Sequence, residues 1–363
     1  MIDSRSIFCY NVTDYILIIP SVKKFKPNHT TIRDVARLAG VSVATISRYL
    51  NHTAVLSELT AQRVETAIDE LKYIPQVTAH NLATRKTHIL GLLLTEIHGD
   101  FFTPLLKGVE SITSAFGYSL LISTNNNSHI SSFPAIGPHN TDGMLIFLGS
   151  LELRIMQEFY QRGFPMVLIH QTSPKELDIP CVTIENKSAS CRIVSHLIET
   201  HHRQHIAYLS GPADNEEAYW RSLGYREALS LHDLPFDPEL VLPGDFDRTI
   251  AKASTLKLLN KRPKIDAIFA GDDEAALGVL SALQGHSCRV PEDVAVVGFD
   301  DQNLAQFMNP ALTTVHVPSE EVGQEATRQL LNLLQENPIE PVTLLPTEFI
   351  IRRSCGCAWK TDF

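Results

Sequence analysis

Two groups of residues have the types and spacing to do chemistry. The first is the run Val43, Ala44, Thr45, Ser47 and Arg48. Short hydroxyl side chains suit phosphate oxygens, small apolar groups suit a thymine methyl, and a guanidinium pairs bidentately with a guanine edge, so this run has the makings of a DNA-reading face. The second group is Phe101, Phe102, Arg221, Phe246, Asp273 and Asp300, each of which follows an apolar run or sits near the start of a helix-like stretch. Aromatic walls with one cation and carboxylates fit a cleft for a sugar or similar polar metabolite, because polar groups buried with a ligand must each find a partner. Each residue also has a plain alternative: the phenylalanines as core packing, Arg221 and Asp300 as a cap or an ion pair.

Other chemistry finds less support. His201-His202-Arg203-Gln204-His205 places His202 and His205 three apart, but no Cys or acidic third ligand is close in sequence, so no metal is expected. The pairs Asp272-Asp273 and Asp300-Asp301 invite a glycosidase reading. No phosphate-binding loop, nucleophile elbow or H-E-x-x-H run accompanies them, and neither an enzyme nor a cofactor is expected. Cys355-Gly356-Cys357 reads as the end of a terminal strand rather than a redox site, since nothing nearby in sequence would activate a thiol.

The DNA-reading face needs a rigid mount. In TIRDVARLAGVSVATISRYLN (residues 31–51), Thr31 is an N-cap with Asp34 three residues on, Ile32, Val35, Ala36 and Ala39 keep helical spacing, and Gly40 ends the helix. Ser42 then caps a second helix that turns Ile46, Tyr49 and Leu50 inward. Residues 57–71 form an amphipathic third helix, closed by Pro75. VTAHNLATR follows as either a plain linker or a hinge helix wedging Leu82 into a minor-groove step. The expected DNA-contacting set is Thr31, Ser42, Val43, Ala44, Thr45, Ser47, Arg48, Asn51, Tyr73 and Leu82.

The ligand cleft needs sheets. Apolar runs of strand length recur at Ile89 to Thr95, Ser119 to Ser123, Gly143 to Phe147, Met166 to Ile169, Cys181 to Ile184, Ile206 to Leu209, Ala267 to Ala270 and Val294 to Gly298, with helices between. This alternation predicts an α/β core of two doubly wound parallel-sheet subdomains behind an all-α helix-turn-helix, with ligand held near the carboxyl ends of the strands. The expected plan is an extension at 1–29, a DNA-binding domain at 30–75, a hinge at 76–88 and a core at 89–363.

Charge follows the same division. Of a net −10, residues 1–88 carry 11 Lys/Arg against 7 Asp/Glu, and residues 89–363 carry 20 against 34, so the basic part is the small N-terminal piece. Six scattered cysteines without a paired framework suit a reducing compartment, and no disulfides are expected. No apolar run reaches the roughly 20 residues that span a bilayer, and Tyr15 to Pro20 is too short for a signal h-region. The location expected is therefore cytoplasmic, with residues 1–29 an unstructured arm or an over-long start assignment.

These motifs together resemble the lac repressor (LacI/GalR) family. TIRDVARLAGVSVATISRYLN is similar to the family's DNA-reading signature and YIPQVTAHNLAT to its hinge. GLLLTEI, GDFFTPLLKGVE, WRSLGYREAL, VLPGDF, FAGDDEAALGVLSAL and VPEDVAVVGFDDQNLAQFMNPALTTVHVP fall in the family's order, and LPTEFIIRRSCG resembles its terminal strand. The resemblance implies a periplasmic-binding-protein-like core whose lobes close on an effector, with a final stretch that crosses back to complete the first lobe. It implies effector contacts at Phe101, Phe102, Arg221, Phe246 and Asp300, and a homodimer on a near-palindromic operator. The chain also departs from the family pattern: residues 126–140 are short and Pro- and Gly-interrupted where a helix is usual, His170 stands where an acid is frequent, and His80 replaces a basic hinge residue.

Overall fold

A computed structural model describes residues 30–50, 54, 56–73, 86–125, 134–261 and 264–358. They divide between two compact units, one ending at Arg85 and the other beginning at Lys86.

The first unit holds helices α1 (Ile32–Ala39), α2 (Val43–Leu50) and α3 (Glu58–Leu71). At the start of α1 the backbone N–H and Oγ1 of Thr31 both donate to Asp34 Oδ2, at 3.0 and 2.6 Å. Gly40 ends α1 at φ 64°, a left-handed conformation that a side chain would strain, and a Cβ there would collide with the Arg63 guanidinium. That guanidinium donates to the Ala39 and Gly40 carbonyls and so fastens α3 to the turn. Val35, Ala36, Ala39, Ile46, Val64 and Ala67 form the core.

Tyr73, expected among the DNA-contacting residues, packs in the same core and is 8% exposed. The cause is the Schellman end of α3: Lys72 turns left-handed, its N–H bonds to the Asp69 carbonyl, and Tyr73 N–H reaches back to Ile68 at 2.9 Å. This closure folds the residue after the turn onto the apolar face. Asn51, His80 and Leu82 lie outside the described residues.

The second unit is α/β. Strands β1 (Ile89–Leu94), β2 (Ser119–Thr124), β3 (Gly143–Phe147), β4 (Met166–Ile169), β5 (Cys181–Ile184) and β11 (Val342–Leu345) form a parallel sheet in the order β11-β5-β4-β3-β1-β2. A second parallel sheet has the order β7-β6-β8-β9, from β6 (Ile206–Ser210), β7 (Val241–Pro243), β8 (Ala267–Ala270) and β9 (Ala295–Val297). The inner strands β3, β4 and β8 are buried at every position, as strands covered on both faces must be.

Helices α4 (Phe102–Ala115), α5 (Leu153–Gln161) and α10 (Ser319–Leu334) accompany the first sheet. Helices α6 (Asn186–His201), α7 (Glu216–Leu231), α8 (Arg248–Lys261) and α9 (Asp273–Gly285) accompany the second. The last expected strand narrows to Ala295–Val297 because Val294 N–H turns to the Arg289 carbonyl and Gly298 N–H to that of Thr313.

The terminal stretch serves both lobes. β11 completes the first sheet, as the resemblance implies, whereas β12 (Glu348–Ile350) pairs antiparallel with β10 (Thr314–His316). Beyond it Ser354 Oγ donates to the Val296 carbonyl at 2.6 Å, tying the tail to the second sheet.

Candidate functional site

In the first unit α2 carries the run expected to read DNA. Ile46 is fully buried and fixes the rotation of the helix, which leaves Val43, Ala44 and Arg48 exposed and Thr45 and Ser47 half-buried at the edge. The hydroxyls of Ser42 and Thr45 lie 2.8 Å apart and Ser42 Oγ accepts from Thr45 N–H at 3.1 Å, so both help to cap the helix. The Thr31 hydroxyl is spent on Asp34, whose carboxyl is held below the usual range by those hydrogen bonds from Thr31 and by Arg37, 3.2 Å away.

In the second unit a cleft of about 660 Å³ opens at the carboxyl ends of both sheets. The loop after β1 brings Phe101, with Phe102 opening α4, and β3 ends at Phe147. These rings meet edge to face, with Phe102 and Phe147 centroids 5.1 Å apart. From the second sheet come Phe246 after β7, Asp272 after β8 and Asp300 after β9, and α7 contributes Glu217 and Arg221. His170, Phe246 and Asp300 adopt φ of 60°, 56° and 105°, a left-handed backbone that non-glycine residues hold only where the surroundings impose it.

Arg221 is 2% exposed and organises the floor. Its Nε donates to Asn186 Oδ1 at 2.9 Å and its Nη1 to the Gly271 carbonyl at 2.7 Å, while Nη2 lies 3.2 Å from Asp300 Oδ1. The guanidinium carbon sits 3.8 Å from the centroid of Phe299. Glu217 receives Asn186 Nδ2 at 3.2 Å and faces His170 Nδ1 at 2.9 Å. Burial works to raise the Glu217 carboxyl, yet His170, Arg221 and Asn186 together outweigh it and hold the group at about 2. Burial pushes Asp300 and Asp272 up to about 7, against the pull of Arg221 on both and of the helix N–H groups on Asp272.

Of the expected effector residues, Phe101, Phe102, Arg221, Phe246 and Asp300 line this cleft and Asp273 does not. Asp273 Oδ1 accepts from Thr314 Oγ1 at 2.7 Å and its Oδ2 from Gln302 N–H at 2.8 Å, so its carboxylate fastens α9 to β10 and to the loop after β9. Its neighbour Asp272 lines the cleft instead and N-caps α9 through Ala275 N–H at 2.8 Å. Sequence reasoning missed Asp272 by one position and passed over Phe147 and Glu217. Spacing supplies no cue for Phe147, the last residue of a uniformly buried strand. Glu217 had one available signal, its position one helical turn before Arg221.

His202 and His205 are exposed. Among the described residues, His196, His201, Cys355 and Cys357 form the one grouping of metal-ligand side chains, and none of them lines the cleft. No helix among the described residues is long and apolar enough to cross a membrane.

Residues 31–76 match the description of bacterial regulatory proteins of the lacI family, and residues 194–355 that of a periplasmic binding protein-like domain. The chain is 31% identical over 329 residues to the HTH-type transcriptional repressor PurR of Vibrio atlanticus, covering 89% of this chain and 98% of that protein. It is 32% identical over 328 residues to the repressor CytR of Escherichia coli, covering 89% and 96%. A solved complex of the transcriptional regulator CelR with cellobiose superposes with a TM-score of 0.66 at 31% identity, over 90% of this chain and 99% of that one. The lac repressor dimer bound to operator and an anti-inducer gives 0.76 at 25% identity, with the same coverage. These relatives are regulators and not enzymes, and the Asp pairs serve as caps and ion-pair partners: Asp272 caps α9 and Asp301 pairs with Arg352 at 2.7 Å. With a helix-turn-helix unit ahead of a two-lobed α/β core, the chain belongs to the LacI family of bacterial transcriptional regulators.

Proposed function

We propose that this regulator is a cytoplasmic repressor that binds a near-palindromic operator as a homodimer and is switched by a neutral, polyhydroxylated effector, a sugar or related metabolite, in the cleft between its lobes. The working division is a reading unit at 30–75, a hinge at 76–88 and an effector-binding core at 89–363. Two-fold symmetry follows from the reach of one recognition helix, which covers too few base pairs for specificity alone.

Asp300 carries the effector reading. Its Oδ1 is buried at the cleft, 3.2 Å from the Arg221 guanidinium but without an aligned hydrogen bond. It is an acceptor in want of a donor, and a ligand hydroxyl is one. Around it Glu217, Asp272 and Glu274 outnumber the cations Arg221 and Arg248, both already paired with carboxylates, so an anionic ligand would meet repulsion. The phenylalanine wall offers the apolar face that a sugar ring packs against. The resemblance to the CelR complex with cellobiose points the same way.

A thermal-shift screen of neutral sugars, nucleosides, polyols and their phosphorylated counterparts tests this, since a ligand selective for the folded state raises the melting temperature by mass action. A neutral polyhydroxylated compound should stabilise the protein and change its operator affinity. Binding confined to phosphorylated or carboxylate compounds would overturn the reading.

A further inference from the structure

We propose that His196, His201, Cys355 and Cys357 form a tetrahedral zinc(II) site that clips the carboxyl-terminal tail to the end of helix α6. The four ligand atoms lie within 4.8 Å of one another. Cys357 Sγ stands 3.6 Å from His196 Nε2 and 3.3 Å from His201 Nε2. A tetrahedral zinc with Zn–S of about 2.3 Å and Zn–N of about 2.0–2.1 Å would separate S and N ligand atoms by about 3.6 Å. Two thiolates and two imidazoles in that geometry favour zinc over the oxygen-seeking cations.

The surroundings are arranged as ligands require. His196 Nδ1 is 3.2 Å from Thr200 Oγ1, which orients the ring and leaves Nε2 to the metal. The Phe349 ring packs edge-on against His196 at 4.9 Å between centroids, so the imidazole is held from two sides. Cys355 is fully buried and receives the Thr313 hydroxyl at 3.2 Å, a donor suited to a thiolate. Gly356 between the cysteines has φ 112°, and a Cβ there would press on the His201 ring at 3.0 Å, so only glycine lets both sulfurs turn to one centre.

Metal binding would displace protons from the thiols, because the thiolate is the ligand. The donors come from sequence positions 156 and 161 residues apart, so closing the site constrains a long loop of chain. The tail it holds is the stretch already bonded to β9 through Ser354.

The test uses full-length protein purified with reductant and then stripped by a chelator. Titration with cobalt(II) should give the intense visible bands of a tetrahedral thiolate site, saturating at one cobalt per chain, and zinc should bleach them. Cys357→Ser and His201→Gln should each lose the spectrum, while Cys191→Ser, outside the cluster, should keep it. Zinc should also raise the melting temperature of the stripped parent. Absence of the tetrahedral spectrum in the reduced parent, a spectrum retained in both ligand variants, or a Cys355–Cys357 disulfide persisting under reductant would overturn the site. The parent titration needs no variant to fold.

Discussion

Glu217 Oε1 lies 2.9 Å from His170 Nδ1, so the end of β4 in the first sheet meets a helix of the second across a buried polar contact. Thr172 adds to the same junction, its N–H and Oγ1 both donating to Glu216 at 2.9 Å. The two lobes are thus joined by polar contacts beside the cleft, and such contacts can be remade when the lobes shift. Removing the Glu217 carboxylate leaves His170 Nδ1 and Asn186 Nδ2 buried without their partner. Glu217→Ala should cost about 3–5 kcal/mol of stability, as for other broken buried pairs, read as a lowered urea midpoint. The sign with pH follows from a depressed carboxyl: Glu217 stabilises the fold above its unfolded value of 4.5, and the contribution fades as pH falls toward about 2. The parent should lose stability over that acid range more steeply than Glu217→Gln.

Arg48→Ala addresses the DNA face. Arg48 is exposed on α2 while Ile46 anchors the same helix, so truncation should leave the unit folded. Specific operator affinity should fall by about 1–3 kcal/mol with non-specific affinity little changed, if the guanidinium reads a base edge. Mobility-shift titrations on operator and scrambled duplexes distinguish this from an equal loss on both, which would mark a phosphate contact.

Much of this molecule was legible because strand-length apolar runs such as Met166–Ile169 and caps such as Thr31 with Asp34 are local signals. Long-range pairing was not. Nothing in VTLLPTEFIIRRSCG announces that β11 joins β5 while the residues after it bond to β9, because register between distant strands depends on tertiary packing. Asp272 and Asp273 show the limit at one residue. Both are buried beside a helix start, and only the direction of each side chain decides that one caps and lines the cleft while the other is spent on Thr314. The His and Cys cluster was hidden in the same way: His201 was weighed with its sequence neighbours, whereas its partners arrive from the far end of the chain.

Effector affinity should depend on pH through Asp272 and Asp300. Their carboxyls are raised to about 7 from 3.8, so the folded protein holds more protons than the unfolded chain between those values. The stability they contribute is present below the unfolded value and lost as pH rises through the folded one. A hydroxyl that donates to the ionised carboxylate pulls this value down, so affinity should rise with pH across the neutral range. A drop of about one unit on binding corresponds to about tenfold in affinity. Calorimetry in two buffers of different ionisation enthalpy should register proton release on binding at pH 7, and proton uptake would contradict the proposed contact.

Asp300→Asn is the cleanest probe of switching, because Arg221, its neighbour in the floor, is also structural. Arg221 bonds Asn186 and Gly271 and stands beside two carboxylates, so Arg221→Ala should destabilise the core as well as weaken ligand binding. Asp300→Asn keeps the size of the side chain and one acceptor oxygen, and removes a charge that costs burial energy. The position lies in the core unit, outside the helix-turn-helix, so it can change operator affinity only through the balance of core conformations. A ligand moves that balance only by its differential affinity for the two states. Operator affinity without effector should therefore stay within about twofold of the parent, while the effector concentration giving half response rises by about tenfold or more, the loss of one charged hydrogen bond. Operator titrations over a series of effector concentrations read both quantities. An unchanged half-response concentration would remove Asp300 from the site.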